Sequence, residues 1–261
     1  LMVDILSHIV EFRNGESGLH VLHVRTLTEL LLRRLVQKTD QYHISKDDIA
    51  AMSMASALHD IGKISIDEKI LNKPGKLTAE EFAVMKTHSL IGAQMLESLN
   101  MYHAEKVVKM AYDICRWHHE RYDGRGYPDG LKGDEIPISA QTVALADVYD
   151  ALTSKRVYKP PFTHEKAVEM IVNGECGTFN PLLLSCLEDI SGDIAREMEP
   201  KEFEGPSQAE LSDMIQNLSQ HKEMSASSRT LQLLEHERMK YSFFAAMSKE
   251  VQFEYTILPS M

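Results

Sequence analysis

At 261 residues, 43% of them hydrophobic and 26% charged, the chain has the composition of a soluble globular protein with one large domain and a smaller element. Its net charge of −11 argues against a large nucleic acid as partner, because nucleic-acid binding usually needs a basic face. Three cysteines without CxxC spacing indicate a reducing compartment, and no stretch reaches the roughly 20 apolar residues of a membrane span, so we expect a cytoplasmic protein.

Helical periodicity begins early in the chain. Apolar residues recur every three or four positions in HVRTLTELLLRRLV and in DDIAAMSMASALHDIG, and the second of these helices is expected to close at His59 and Asp60. Thr78 and Glu81 have capping-box spacing, so the next helix should begin near Ala79. These patterns predict helices in the first third of the chain.

Two further helices and a long loop follow. The segment AEKVVKMAYDICRWHHE should be helical up to its paired histidines, and ISAQTVALADVYDALTS predicts another helix. Between them, YDGRGYPDGLKGDEIP is rich in Gly and Pro and marks a loop. With strand patterns nearly absent before residue 250, we predict an all-α helical bundle over residues 1–195.

The character of the chain changes after residue 195. ELSDMIQNLSQ and SSRTLQLLEHERMKYSFFAAM are typical of amphipathic helices, and VQFEYTI alternates like a half-buried strand. We therefore expect residues 196–261 to form a helical extension or linker that leads into a following domain. A short terminal tail docked on the bundle is an equally good interpretation of the strand pattern.

Imidazole and carboxylate side chains are scattered along the predicted helices. Taken singly, a helical histidine is more often hydrogen-bonded in the core than bound to a metal. Taken together they form a set without thiolate, which suits Fe, Mn or Zn and clusters in which a carboxylate bridges two ions. The set comprises Glu16, His20, His59, Asp60, His88, His118, His119 and Asp147.

The order of the motifs resembles that of the HD-GYP family of cyclic dinucleotide phosphodiesterases. The strings that carry the resemblance are HDIGKISIDEKILNKPGKLTAEEFAVMKTH, HHERYDGRGYP, LKGDEIP, ALADVYDALTSKRVY and FNP, between about Glu16 and Pro181. The family is a branch of the HD superfamily, which consists of all-helical, metal-dependent phosphohydrolases. The resemblance implies hydrolysis of cyclic di-GMP to pGpG, and in some members further to GMP, in bacterial second-messenger signalling.

The resemblance also implies roles for the metal ligands. His59 and Asp60 match the signature His-Asp pair of metal ligands. His20 and Asp147 would bind a first divalent ion, while His88, His118 and His119 would bind a second. Asp60 would bridge the two ions. Glu16 matches an acidic residue that lets a third ion bind in some members. We therefore expect two or three ions, Fe or Mn before Zn.

Substrate contacts follow from the same resemblance. Lys63, one turn beyond Asp60, would neutralise a phosphate oxygen during catalysis. Arg156 and Lys159 match basic substrate contacts. Arg125 and Tyr127, at the name-giving Gly126–Pro128 loop, are also expected to bind substrate. That loop is also expected to contact other signalling domains, although it could simply form a turn.

Two positions depart from the family pattern. His23 replaces a usual arginine, which we interpret as a neutral substitution on a helix flank, and Asp67 stands in a loop with no evident consequence. Because every ligand position is filled, an active phosphodiesterase is favoured. The alternatives are an inactive cyclic dinucleotide receptor, an enzyme preferring cyclic GMP-AMP, and a di-iron oxygenase. A homodimer through the C-terminal helices is a further expectation.

Overall fold

The computed structural model describes residues 3, 6–7, 10, 13, 19–99, 105–154 and 160–198. Within these ranges the chain is helical and has no β-strand, which confirms the predicted all-α fold. The α-helices are α1 (Leu19–Lys38), α2 (Lys46–Ser56), α3 (Glu68–Leu71), α4 (Ala79–Glu97), α5 (Lys106–Trp117), α6 (Ile138–Thr153), α7 (His164–Val172), α8 (Pro181–Asp189) and α9 (Ser191–Met198), and short 3-10 helices span Ile61–Ser65 and Gly133–Glu135.

The predicted C-terminal helices and terminal strand, like most of residues 196–261, lie outside the described residues. The domain boundary near residue 195 therefore stays a prediction. Among the helices of the described ranges, none is both long enough and apolar enough to cross a membrane.

The core forms where α1 packs against α2 and α6, and where α4 and α2 pack against α5. Along α1, Leu27, Leu31 and Leu35 are fully buried. Their spacing of four residues puts them on one face of the helix, as the sequence pattern predicted. Burying each such side chain contributes about 1.5–3 kcal/mol, so this face fixes the position of α1 in the bundle.

Helix ends agree with the sequence at two places that matter for the site. Thr78 caps α4 by accepting a hydrogen bond from the Glu81 amide, while the Glu81 carboxylate accepts one from the Thr78 amide. This capping box confirms the predicted start at Ala79. Helix α5 ends at Trp117, so the paired histidines follow directly after its last turn, as predicted.

The end of α2 was predicted wrongly. The helix stops at Ser56, and His59 and Asp60 lie in the turn that leads into the 3-10 helix Ile61–Ser65. Here backbone amides bond three residues back: the His59 amide donates to Ser56 O at 3.2 Å, and the Ile61 amide donates to Leu58 O at 3.0 Å. Apolar periodicity did not separate such tight turns from a regular α-helix.

Asp67 has a structural role that the sequence did not reveal. It is the N-cap of the short helix α3, where its carboxylate accepts a hydrogen bond from the Lys69 amide at 2.7 Å. A side-chain oxygen at this position satisfies one of the otherwise unpaired amides of the first helical turn. The departure from the family pattern at Asp67 therefore supplies a cap.

Candidate metal centre

The predicted ligands continue the buried stripes of their helices. His20 lies four residues before the buried Val24 on α1, and His88 lies four residues before Gly92 on α4. His118 follows the buried Cys115 by three residues, just past the end of α5. Residues three or four apart share a helix face, so the packing that buries the apolar stripes also turns these imidazoles toward one another.

One group of ligands, here the first cluster, consists of His20, His59 and Asp147. Their ligand atoms all lie within 4.8 Å of one another. Nε2 of His20 is 3.4 Å from Nε2 of His59 and 3.8 Å from Oδ1 of Asp147. The three side chains thus converge on one point from α1, from the turn that follows α2 and from α6.

A second cluster adjoins the first and consists of Asp60, His88, His118 and His119. Nε2 of His88 lies 3.5 Å from Nε2 of His118 and 3.2 Å from Nε2 of His119. The same atom lies 3.2 Å from Oδ1 of Asp60. The other oxygen of Asp60 is 3.3 Å from Nε2 of His59, so this carboxylate stands between the two clusters.

Hydrogen bonds fix which ring nitrogen carries the proton in four of these histidines. Each Nδ1 faces an oxygen that can only accept, so Nδ1 is protonated and the Nε2 of a neutral ring offers its lone pair to the cluster. The acceptors are Asp150 Oδ2 at 2.7 Å for His20, Ser56 O at 2.8 Å for His59, Met85 O at 2.7 Å for His88 and Ile114 O at 2.9 Å for His118.

Burial keeps two of the imidazoles neutral. It lowers the pKa of His118 to about 3, with the neighbouring His59 acting in the same direction. Burial likewise holds the pKa of His119 well below its ordinary value. Neutral imidazoles are the metal-binding form, so both rings are ready to donate a lone pair.

Asp60 is ionised despite its burial. Burial raises the pKa of its carboxyl group, but the ammonium group of Lys63, 2.6 Å from Oδ2, and the imidazole of His59 hold that pKa well below the usual range. Burial also lowers the pKa of His59, which the Asp60 carboxylate more than reverses. A proton on His59 and a metal ion would therefore compete for the same lone pair.

The unsatisfied atoms of the clusters fit a cation. Oδ1 of Asp60 is buried without a hydrogen-bond donor among the described residues, and the nearest nitrogen, Nε2 of His88, points a lone pair at it. Lone pairs of facing imidazoles 3.2–3.5 Å apart repel each other unless a positive charge lies between them. Mixed imidazole and carboxylate donors are the ligands that Fe, Mn and Zn accept.

Comparison with known proteins agrees with this donor set. A family model described as an HD domain matches residues 15–180. This chain belongs to the HD domain family. The match contains both clusters, including the adjacent His59 and Asp60.

Two Vibrio cholerae proteins are similar to this HD domain. One, named probable cyclic di-GMP phosphodiesterase, is 41% identical over 77% of this chain and 47% of its own length. The other, named cyclic di-GMP phosphodiesterase, is 42% identical over 69% of this chain and 37% of its own length. These relatives confirm the resemblance to the HD-GYP phosphodiesterases, although the chain spans less than half of either protein.

A solved structure is similar in fold. It is named as a cyclic GMP-AMP specific phosphodiesterase of V. cholerae, and its TM-score is 0.51 at 16% sequence identity. The match covers 83% of this chain and 53% of that one. The likeness supports the HD-superfamily bundle as the fold of the chain.

The loop after the paired histidines packs against the second cluster of the HD domain. The ring of Tyr127 stacks on that of His119 with centroids 4.7 Å apart, and burial raises the pKa of the Tyr127 hydroxyl. Glu120 is buried and accepts hydrogen bonds from the amides of Asp129 and Gly130 at 2.7 and 2.9 Å. Glu120 therefore holds the loop in place, a role that its sequence position alone did not indicate.

Not every predicted site residue lies at the clusters. The side chain of Arg125 is 88% exposed and faces Asp123 at 3.9 Å, so the structure does not bring it to the metal ligands. Lys63, in contrast, lies against Asp60, and its contact with a substrate phosphate stays a prediction. Glu16, Arg156 and Lys159 lie outside the described residues.

Asp150 and His23 support the first cluster on the side away from its ligand atoms, and neither was predicted to do so. The buried carboxylate of Asp150 accepts a hydrogen bond from Nδ1 of His20 at 2.7 Å and one from Nδ1 of His23 at 2.6 Å. Burial raises the pKa of Asp150, but these two hydrogen bonds lower that pKa by more than burial raises it. The carboxylate therefore stays ionised. The interpretation of His23 as a neutral flank substitution is therefore wrong, because His23 contacts the carboxylate that orients a predicted ligand.

Asp150→Ala should loosen metal at the first cluster and leave the second unaffected. Without the carboxylate the ring of His20 loses both its orientation and its fixed tautomer, and such outer partners typically change metal affinity about 10–100-fold. Titration of the chelator-stripped protein with Mn(II) would then show one weakened site. Asp189→Ala, which removes a surface carboxylate paired with Arg34 and Lys38, is the matched control. Identical titrations for the two variants would contradict the role of Asp150.

Proposed function

We propose that this chain is a metal-dependent phosphodiesterase that hydrolyses cyclic di-GMP to pGpG, with further cleavage to GMP as a second step. The cofactors would be two divalent metal ions, Fe or Mn before Zn, held by the two clusters. The names of the V. cholerae relatives support the substrate. The substrate stays a proposal because those proteins extend well beyond this chain.

One observation carries the proposal. A single ionised carboxylate, Asp60, has one oxygen directed at His59 of the first cluster and the other directed at His88 of the second. A carboxylate in that position can bind two cations at once, which is the arrangement that supports in-line displacement at phosphorus. A lone ligand set would serve a structural ion equally well, whereas two adjoining sets favour hydrolysis.

The bound ions would supply Lewis-acid polarisation of a phosphoryl oxygen and a water of lowered pKa. The protein itself contributes orientation and charge. Lys63 neutralises one oxygen of Asp60 and brings an ammonium group to the place where phosphate charge develops. Tyr127 covers the face of His119 and shields that imidazole from water.

The direct test uses the whole chain, loaded with Fe(II) or Mn(II) under anaerobic conditions and incubated with cyclic di-GMP. Chromatography of the products should show pGpG, and EDTA treatment should abolish its formation. Metal analysis on the same sample should give at least two ions per chain. Cyclic GMP-AMP, run in parallel, measures the substrate preference.

Three results would count against the proposal. Metal-loaded protein that leaves both dinucleotides intact but binds them tightly would favour a receptor. Protein that retains no ion after dialysis would contradict the ligand assignment. Substrate oxidation under oxygen, without hydrolysis, would favour the oxygenase chemistry known among HD-superfamily proteins.

The remaining sequence predictions belong to this proposal without further support. They are a third ion at Glu16, substrate contacts by Arg125, Arg156 and Lys159, a homodimer, and a signalling partner at the Gly126–Pro128 loop. A cytoplasmic location also stays a prediction.

A further inference from the structure

Arg13 lies in the segment before α1, yet its side chain ends at the 3-10 helix Ile61–Ser65, which carries Lys63. Its Nη1 donates hydrogen bonds to Lys63 O at 3.4 Å and to Ile64 O, and its Nη2 donates to Ile66 O at 2.9 Å. Fifty positions of sequence separate Arg13 from Lys63, and neither the motifs nor the proposed mechanism uses this arginine. The side chain thus binds the backbone at the end of the 3-10 helix.

The three acceptors are carbonyl groups at or just beyond the C-terminal end of this helix. The last carbonyls of a helix have no amide partner within it, and an arginine can satisfy several of them at once because its donors form a fixed fork. The backbone of Arg13 is held in turn, since Nδ2 of Asn72, the C-cap residue of α3, donates to Arg13 O at 3.0 Å. Arg13 therefore joins three segments of the chain at one half-buried point.

The two ends of the 3-10 helix are held by different contacts. At its start, Gly62 lies against the backbone of α4, where a Cβ atom would come within 2.0 Å of His88 O. That contact fixes Asp60, two residues earlier, and does not involve Arg13. At its end, the Lys63 carbonyl is bound by Arg13. Loss of Arg13 would therefore release the end that carries Lys63 and leave the start of the helix in place.

The position of the Lys63 backbone limits where its ammonium group can lie. Nζ of Lys63 is 2.6 Å from Oδ2 of Asp60, and the proposed mechanism uses this charge at the reacting phosphate. A flexible four-carbon side chain does not fix its own charge, so a backbone held at one point narrows the positions that the ammonium group can occupy. A shift of about 1 Å in a catalytic group can cost about a hundredfold in rate.

We propose that Arg13 is a positioning residue, which holds the end of the 3-10 helix so that the ammonium group of Lys63 stays at the reacting phosphate. The inference rests on the proposed phosphodiesterase activity and on the phosphate contact predicted for Lys63. In this proposal Arg13 itself contacts neither the substrate nor a metal ion, and its effect passes through Lys63.

The test is a double-mutant cycle of Arg13→Met and Lys63→Met, assayed on cyclic di-GMP with Mn(II). Arg13→Met should lower kcat about 10–100-fold with little change in KM, because the misplaced charge acts in the transition state. In the Lys63→Met background the same substitution should cost no further activity, since residues that act through one another are not additive. Arg13→Lys should recover part of the loss, because an ammonium group can still donate to one of the carbonyls.

Two measurements need no substrate. Amide hydrogen exchange within residues 61–66 should be faster in Arg13→Met, as expected where a backbone contact is lost. Titration of the chelator-stripped variant with Mn(II) should match wild type, because the ligands stay in place. Arg33→Met is the matched control in every assay, since Arg33 is an exposed arginine that pairs with Glu29 one turn earlier on α1.

Additive losses of kcat in the cycle, or weaker Mn(II) binding in Arg13→Met, would identify Arg13 as a general structural strut and overturn the inference. Unchanged kcat in either single variant, or unchanged exchange within residues 61–66, would overturn it as well. Wild-type protein that binds Mn(II) but hydrolyses neither dinucleotide would instead contradict the proposed function. The exchange measurement would then still show whether Arg13 holds the 3-10 helix.

Discussion

Asp60→Asn should abolish both turnover and the stabilisation of the protein by metal. The carboxylate supplies the negative charge shared by the two clusters, and the amide supplies none. We expect a fall in kcat of roughly a thousandfold or more, because metal ions at a phosphoryl group contribute several kcal/mol of charge stabilisation. Melting curves with and without Mn(II) give a second readout that does not depend on substrate.

The melting experiment follows from linkage. A ligand that binds only the folded state stabilises it by about 2.7 kcal/mol at one hundred times its dissociation constant. Wild-type protein should therefore melt at a higher temperature when Mn(II) is added, and Asp60→Asn should not. The metal-free variant should still fold, since Asn keeps the shape of the side chain and only the charge that faces Lys63 and His59 is lost.

Asp67→Asn is the matched control. Asp67 lies seven residues further along, is paired with a backbone amide as a helix N-cap, and Asn caps a helix about as well as Asp. This variant should keep both its response to Mn(II) and its activity. A metal-dependent rise in melting temperature that survives in Asp60→Asn would show that the ions are held elsewhere.

The helices that carry the site were predictable because their determinants are local. The capping box at Thr78 and Glu81 and the periodic apolar residues of α1 involve neighbours within a few positions. The end of α2 depends instead on the turn around His59, where Nδ1 of the imidazole also bonds to Ser56 O. Sequence periodicity did not show that a side chain would take over this carbonyl.

The candidate metal ligands were predictable from the chemistry of their side chains, but the residues that support those ligands were not. Histidines and carboxylates at the spacing of the motifs indicate metal ligands. Asp150 supports His20 across 130 residues of sequence, and nothing in either segment indicates the contact. Such pairings exist only once the helices have packed.

Gly62 illustrates a position whose importance lies entirely in packing. It belongs to the 3-10 helix that follows Asp60, and it touches α4 where that helix carries His88. A Cβ atom here would lie 2.0 Å from His88 O and 2.6 Å from the Gly92 nitrogen. Both are backbone atoms, so no side-chain rotation can relieve the overlap.

Gly62→Ala should therefore destabilise the protein and separate two ligands of the second cluster. Overpacking of a core costs typically about 1–3 kcal/mol, and we expect the upper end or beyond because the obstacle is backbone. To admit the methyl group, the 3-10 helix must move away from α4, which draws Asp60 away from His88. Urea unfolding of the metal-free protein would measure the lost free energy, and Mn(II) titration the lost site.

Gly192→Ala separates this effect from the general consequence of replacing a helical glycine. Gly192 lies in α9, and nothing stands within 4 Å of the position a Cβ would take. Alanine there should be neutral or stabilise the helix by up to about 1 kcal/mol. If Gly62→Ala unfolded at the same urea concentration as wild type, the close approach of the 3-10 helix to α4 would be wrong. Because that contact holds Asp60 against His88, the geometry of the second cluster would then have to be wrong too.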